Sequence, residues 1–112
     1  MVLDVYEQYF KAKAKIGGVQ RRAALVKLTS DSEAGFIRYT VSVNFFPFRD
    51  PEDFCVSYDA IYEKEIYAAK GRRSKKREKE FMASFRDTVD ELAAEHKAKV
   101  LWDEPLRDAR MA

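Results

Sequence analysis

Asp4-Val5-Tyr6-Glu7-Gln8-Tyr9-Phe10-Lys11-Ala12-Lys13-Ala14-Lys15-Ile16-Gly17-Gly18 is the stretch on which the class of fold turns. Asp4 with Glu7 three residues later has the form of a capping box. Val5, Tyr6, Tyr9, Phe10 and Ala12 fall on neighbouring positions of a helical wheel and give an apolar stripe. Gly17-Gly18 stands where a helix would stop. The expectation is an N-terminal helix.

Downstream the pattern changes to period two. Ala24, Val26 and Leu28 alternate with polar or charged residues within Val19 to Thr29, and Asp31-Ser32-Glu33-Ala34-Gly35 reads as a turn. Ile37, Tyr39, Val41, Val43 and Phe45 then alternate with Arg38, Thr40, Ser42 and Asn44 until Pro47. These two strands form an antiparallel hairpin with one buried face. Residues 54–70 carry two competing periods. Phe54, Val56 and Tyr58 alternate as in a strand, while Phe54, Tyr58, Ile61, Tyr62 and Ile66 also fit helical spacing. The assignment adopted is a short third strand over 54–58, then a helix from Ala60 to Lys70 capped by Asp59 and closed by Gly71. Ser74 reads as the N-cap of a last long helix with Phe81, Phe85, Val89 and Leu92 on its core stripe and Met82 beside them. Val100-Leu101-Trp102 adds a possible short edge strand that Pro105 ends, and residues 106–112 read as a loose tail.

The expected fold is therefore one α+β domain over residues 1–112. It has an N-terminal helix, a small antiparallel sheet of three strands with a possible short fourth, and two C-terminal helices. The expected core is Tyr6, Phe10, Val26, Leu28, Tyr39, Val41, Val43, Phe81, Phe85, Val89 and Leu92. Of the 112 residues, 46% are hydrophobic and 13% aromatic, which argues for a packed core over disorder. A single cysteine, Cys55, forbids an internal disulfide and fits a reducing compartment. No apolar run reaches the ~18 residues of a membrane span. The first residues lack a basic n-region and an apolar h-region, so a cytoplasmic location without membrane contact is expected.

The formal net charge of +2 hides one asymmetry. Lys70-Gly71-Arg72-Arg73-Ser74-Lys75-Lys76-Arg77-Glu78-Lys79 carries seven cations against one anion, a net +6, so the rest of the chain carries −4. This basic elbow is expected to join the two C-terminal helices and run into the first turn of the second. Cations at a helix N-terminus oppose its dipole, and a bound anion would reverse that cost. The candidate anion-binding residues are Lys70, Arg72, Arg73, Ser74, Lys75, Lys76, Arg77 and Lys79, and the expected partner is nucleic acid or another polyanion. The bland alternative is a solvated connector partly neutralised by Glu78 and Glu80. A second basic stretch has Lys11, Lys13 and Lys15 on the first helix, whose spacing scatters them around it and favours a role in solubility, and Arg21 and Arg22 at the start of the first strand.

The run Gly71 to Lys79 resembles the Gly-rich turn and basic helix start of double-stranded RNA-binding domains, which grip phosphates across a groove. Three features separate the chain from that family. Glu78 stands where it has alanine, Phe81 and Phe85 stand where it has small residues, and the expected 60–70 helix breaks its topology. Through Gly18-Val19-Gln20-Arg21-Arg22-Ala23 and Lys70 to Glu78, the whole chain is similar to small proteins carried by mobile genetic elements of gut Firmicutes. That resemblance implies a bacterial cytoplasmic location, and accessory DNA binding or inhibition of host defence (for example of the anti-CRISPR type).

An enzyme is not expected. The sequence has no Walker loop, GxGxxG, GxSxG, HExxH or CxxC. Its single histidine, His96, reads as a helix-edge residue, and Cys55 as a small buried hydrophobe. Asp50, Glu52, Asp53 and Asp59 with Glu63-Lys64-Glu65 resemble metal-dependent nucleases in residue type only. The order and spacing differ, and capping accounts for Asp50 and Asp59. No catalytic residue, metal or cofactor is expected. The alternative function is a protein-binding accessory or inhibitor, or a homodimer, that uses exposed aromatics such as Phe46, Phe48 and Trp102.

Overall fold

The computed structural model describes residues 1–47 and 60–107. The element order is β1 (Val2–Ile16), β2 (Val19–Glu33), β3 (Phe36–Phe46), β4 (Ala60–Lys70), α1 (Lys75–Ala83), α2 (Phe85–Ala94) and β5 (Lys99–Leu106). All five strands join one antiparallel sheet in the order β4-β3-β2-β1-β5. The helices cover one face, and the chain passes through them from the β4 edge to the β5 edge.

The expected α+β layout is corrected at four points. The N-terminal segment is a strand, not a helix, and Gly17-Gly18 is a two-residue hairpin turn with φ of 61° and 74°. That pair of positive φ values matches the twist of flanking strands, and glycine adopts it without steric cost. Residues 60–70 are an edge strand, not a helix. The basic elbow therefore joins a strand to a helix. The two helices instead meet at Ser84, which ends α1 and starts α2, so the expected long helix is broken. Finally, β5 runs on through Pro105 to Leu106, so the expected tail begins inside a strand. Proline is tolerated there because β5 is an edge strand. The expected 54–58 strand and the Asp59 cap lie outside the described residues.

Both misassigned strands share one physical cause. Pairing of β1 with β2 slips between Asp4 and Tyr6, so Val5 and Tyr6 both pack on the core. Pairing of β3 with β4 slips between Tyr67 and Glu65, so Ile66 and Tyr67 both pack on it too. An extra residue in one strand breaks the period of two. Adjacent apolar residues, Val5 with Tyr6 and Ile66 with Tyr67, then share one face, as they can on a helix and cannot on an unbroken strand.

The core follows the expected stripes. Val26, Leu28, Tyr39, Val41, Val43, Phe85 and Val89 are fully buried, with Phe10 and Leu92 nearly so. Tyr6 and Phe81 are half-buried against them. Phe85 anchors α2 by edge contacts to Tyr6 (5.2 Å between centroids) and Trp102 (6.3 Å). Trp102 also meets Phe10 at 5.0 Å, and its indole N–H donates to Asp90 Oδ1 at 2.9 Å. The sheet's other face carries the residues that alternate with these inward ones: Lys27, Thr29, Arg38, Thr40, Ser42 and Asn44. Among the described residues no helix is long and apolar enough to cross a membrane.

Candidate nucleic-acid interface

The elbow is built on a buried polar knot. β3 turns alternate side chains inward, which puts Tyr39 under the start of α1 with its ring 4.9 Å from that of Phe81. A buried tyrosine hydroxyl needs partners. Here it donates to Glu78 Oε2 at 2.7 Å and accepts from the Ser74 N–H at 3.2 Å. Arg73 donates Nε to Glu78 Oε2 and Nη2 to Oε1, both at 2.9 Å. Glu78 is thus a buried carboxylate with three donors. Arg73 first, and Tyr39 after it, hold the Glu78 carboxyl below its ordinary range against the opposing effect of burial. Burial, reinforced by Glu78, raises the Tyr39 hydroxyl above its ordinary value. The hydrogen bonds that Arg73 donates to Glu78 likewise raise Arg73.

Two further contacts fix the turn. Gly71, at φ 137°, donates its N–H to Gly35 O at 2.8 Å and pins the elbow to the β2–β3 turn. Ser74 is the N-cap, and its Oγ accepts the Arg77 N–H at 3.3 Å. The Ser74 hydroxyl, expected to be offered to a phosphate, is therefore engaged in capping.

The eight candidate residues fall into three groups. Arg73 and Ser74 belong to the knot. Arg77 lies over the Tyr67 ring, 4.6 Å from its centroid, while remaining exposed. Lys70, Arg72, Lys75, Lys76 and Lys79 are exposed, and no carboxylate of the described residues lies within ion-pair reach of them. Tyr39 and Glu78 are the residues that reading the sequence for function missed. Glu78, the one anion among seven cations, was the visible signal.

The other candidates separate from this site. His96 follows α2 and stacks on Tyr62, with centroids 3.6 Å apart and planes at 13°. Glu65 meets Arg38 at 3.7 Å and Lys64 meets Glu91 at 3.9 Å, so Glu63-Lys64-Glu65 forms a charged sheet edge. Phe46 is buried beside Tyr9, and Trp102 packs under α2. Neither gives the exposed anchor that a protein partner would grip. Asp50, Glu52, Asp53, Asp59, Phe48 and Cys55 lie outside the described residues. Among the described residues no group of three or more histidine, cysteine or acidic side chains could hold a metal. Two shallow concavities, each about 390 Å³, are lined by other residues than the elbow cations, although the first borders the β2–β3 turn to which Gly71 is pinned. Asp31, Glu33, Ala34, Phe36 and Arg38 line one, and the second runs along the sheet face opposite the helices, past Lys27, Thr40, Ser42 and Asn44. Compared with known proteins, the chain matches no family model, no curated protein and no solved structure.

Proposed function

We propose that the chain is a non-enzymatic polyanion-binding protein that takes the backbone of nucleic acid at the β4–α1 elbow. The supporting observation is the Arg73–Glu78 pair. It ties the elbow's one anion, the buried Glu78, to one of its cations, which stays exposed. Lys70, Arg72, Lys75, Lys76, Arg77 and Lys79 are left exposed around the start of α1, with no carboxylate of the described residues to neutralise them. Phosphate is the chemistry that satisfies such a cluster, because it brings charge and several acceptor oxygens at once. Lys75, Lys76 and Arg77 occupy the first turn of α1, where the helix dipole disfavours cations and a bound anion removes the conflict.

The test is a titration of labelled duplex and single-stranded DNA and RNA against the native chain and against a variant with Lys70, Arg72, Lys75 and Lys76 changed to alanine. The variant spares Arg73, which the fold uses. Binding should weaken steeply with salt and be lost in the variant. Binding of equal strength in both proteins, or none at about 50 mM salt, overturns the reading. A stable complex with an acidic protein that leaves nucleic acid unbound would overturn it in favour of a protein partner.

A further inference from the structure

The strand assignment of β1 rearranges a set of lysines that a helix would have scattered. Ala12 and Ala14 are buried in the core. The pairing with β2 carries a bulge between Lys11 and Ala14, yet Ala12, Ala14 and Ile16 all pack on the core, so Lys11, Lys13 and Lys15 between them turn to the face away from the helices. β5 adds a fourth, since Lys99 is the antiparallel partner of Lys13, just as buried Val100 is the partner of Ala12. Like charges directly opposite each other on a sheet repel.

Elsewhere on this face Lys27 and Arg38 are matched. Lys27 reaches Glu7 at 3.4 Å and Asp4 at 3.7 Å, and Arg38 reaches Glu65 at 3.7 Å. Within the stripe only Lys11 has such a partner, Glu104 at 3.7 Å. Lys13, Lys15 and Lys99 are exposed, with no carboxylate of the described residues in ion-pair reach. Among the described residues, charge compensation thus lapses along this stripe. The stripe is far from the elbow. Lys70 pairs with Phe36 at one end of the sheet, whereas Lys15 and Gln20 flank the turn at the other, along a molecule 42 Å in its longest dimension. The elbow leads into the helix layer, and the stripe lies on the opposite face.

We propose that Lys11, Lys13, Lys15 and Lys99 form a second surface for a nucleic-acid backbone, so that one chain holds two separate segments. The two-segment arrangement rests on the elbow reading, and the stripe itself does not. A duplex of about ten base pairs is roughly 34 Å long and lies along one surface of the protein, so it serves one basic surface at a time.

The experiment is native mass spectrometry and sedimentation of the full chain with an excess of that duplex at low salt. The proteins compared are the native chain, the elbow four-alanine variant, and a stripe variant with Lys13, Lys15 and Lys99 changed to glutamine. All three are checked for equal thermal midpoints. The expected result is two duplexes on the native chain and one on each variant. Loss of about three phosphate contacts should also make the stripe variant's slope of log K against log salt shallower by about 2.7. One duplex on the native chain, kept by the stripe variant and lost by the elbow variant, overturns the second surface and leaves the elbow reading standing. One duplex kept by the elbow variant and lost by the stripe variant overturns both the elbow reading and the two-segment arrangement. No duplex on the native chain overturns both surfaces.

Discussion

Arg73 and Glu78 face each other as a bidentate pair, Nε to Oε2 and Nη2 to Oε1, both at 2.9 Å. An arginine placed to receive a phosphate receives a carboxylate of its own chain. Glu78 is then tied to Tyr39 in the sheet, so the pair joins the elbow, the first turn of α1 and β3. The exposed cations around it are held by a rigid mount, and rigid presentation reduces the ordering cost of binding.

Removing the keystone should destabilise the fold without touching the apolar core. Glu78→Ala leaves the Tyr39 hydroxyl without its acceptor, and the expected loss is about 1–3 kcal/mol by urea denaturation. Tyr39→Phe should cost less, near 1 kcal/mol, because hydroxyl and carboxylate contacts are lost but Glu78 keeps Arg73. The double variant should lose less than the sum of the two, since both changes break one network. Additive losses would show that the two residues act independently.

The same pair sets the acid limb of stability. Folding lowers the Glu78 carboxyl, so its contribution is present above the unfolded value of about 4.3 and is lost as pH falls through the folded value. Folding raises Tyr39, so its neutral form stabilises the protein below about 10, and that contribution is lost as pH rises through the raised value. Urea midpoints measured from pH 7 down to about 2.5 should fall on acidification. Glu78→Gln should lower the midpoint at neutral pH and flatten that limb.

Phe85 is the widest single anchor of the helix layer, fully buried between Tyr6 and Trp102. Phe85→Ala should cost about 3–5 kcal/mol and lower the thermal midpoint accordingly. It should also change Trp102 fluorescence, because the indole loses a ring neighbour. A loss under about 1 kcal/mol would mean that α2 is not held to the sheet as described.

The β2–β3 turn carries a strain that can be relieved. Ala34 sits at φ 51° and Gly35 at 77°, the arrangement in which two-residue hairpin turns favour Asn-Gly. Ala34→Asn should raise stability by about 0.5–1 kcal/mol, read as a higher urea midpoint. A lower midpoint would contradict the turn geometry.

Elbow binding should show its electrostatic origin. If about four phosphates are engaged, log K on duplex DNA should fall against log salt with a slope near −3.6. Changing Lys75 and Lys76 alone should flatten the slope by about 1.8 and leave stability equal or slightly higher, since the conflict with the helix dipole is eased. A salt-independent affinity would exclude phosphate contacts as its source.

The inward residues of β2 and β3 were legible because nothing interrupts their alternation from Ala24 to Leu28 and from Ile37 to Phe45. The stripe Phe85, Val89 and Leu92 was legible for the parallel reason on a helix. β1 and β4 were not, because bulges at Val5 and Ile66 shift the phase of each strand and imitate a helical period. The true signals were weaker but present. Lys11, Lys13 and Lys15 alternate with Ala12, Ala14 and Ile16, and Gly17-Gly18 is a hairpin signature as much as a helix stop. The β4 residues Ala60 to Lys70 favour helix by composition, and pairing with β3 overrides that preference. At the candidate site the basic residues could be read directly. The division between Arg73 and its neighbours could not, because it depends on Tyr39, thirty-five positions before Ser74.

The seating of β5 against β1 has a kinetic meaning. β1, β2 and β3 are joined by two-residue turns, so their pairing closes short loops and can start early. β5 meets β1 only from across the chain, as when Gln8 Nε2 donates to Leu106 O over 98 positions. Closing that loop costs the most chain entropy and gains nothing until the helices have crossed the sheet. The slowest step of folding should therefore be the arrival of this last strand, and Trp102, the chain's single tryptophan, rides on it. Its burial marks the moment at which the sheet completes its fifth strand.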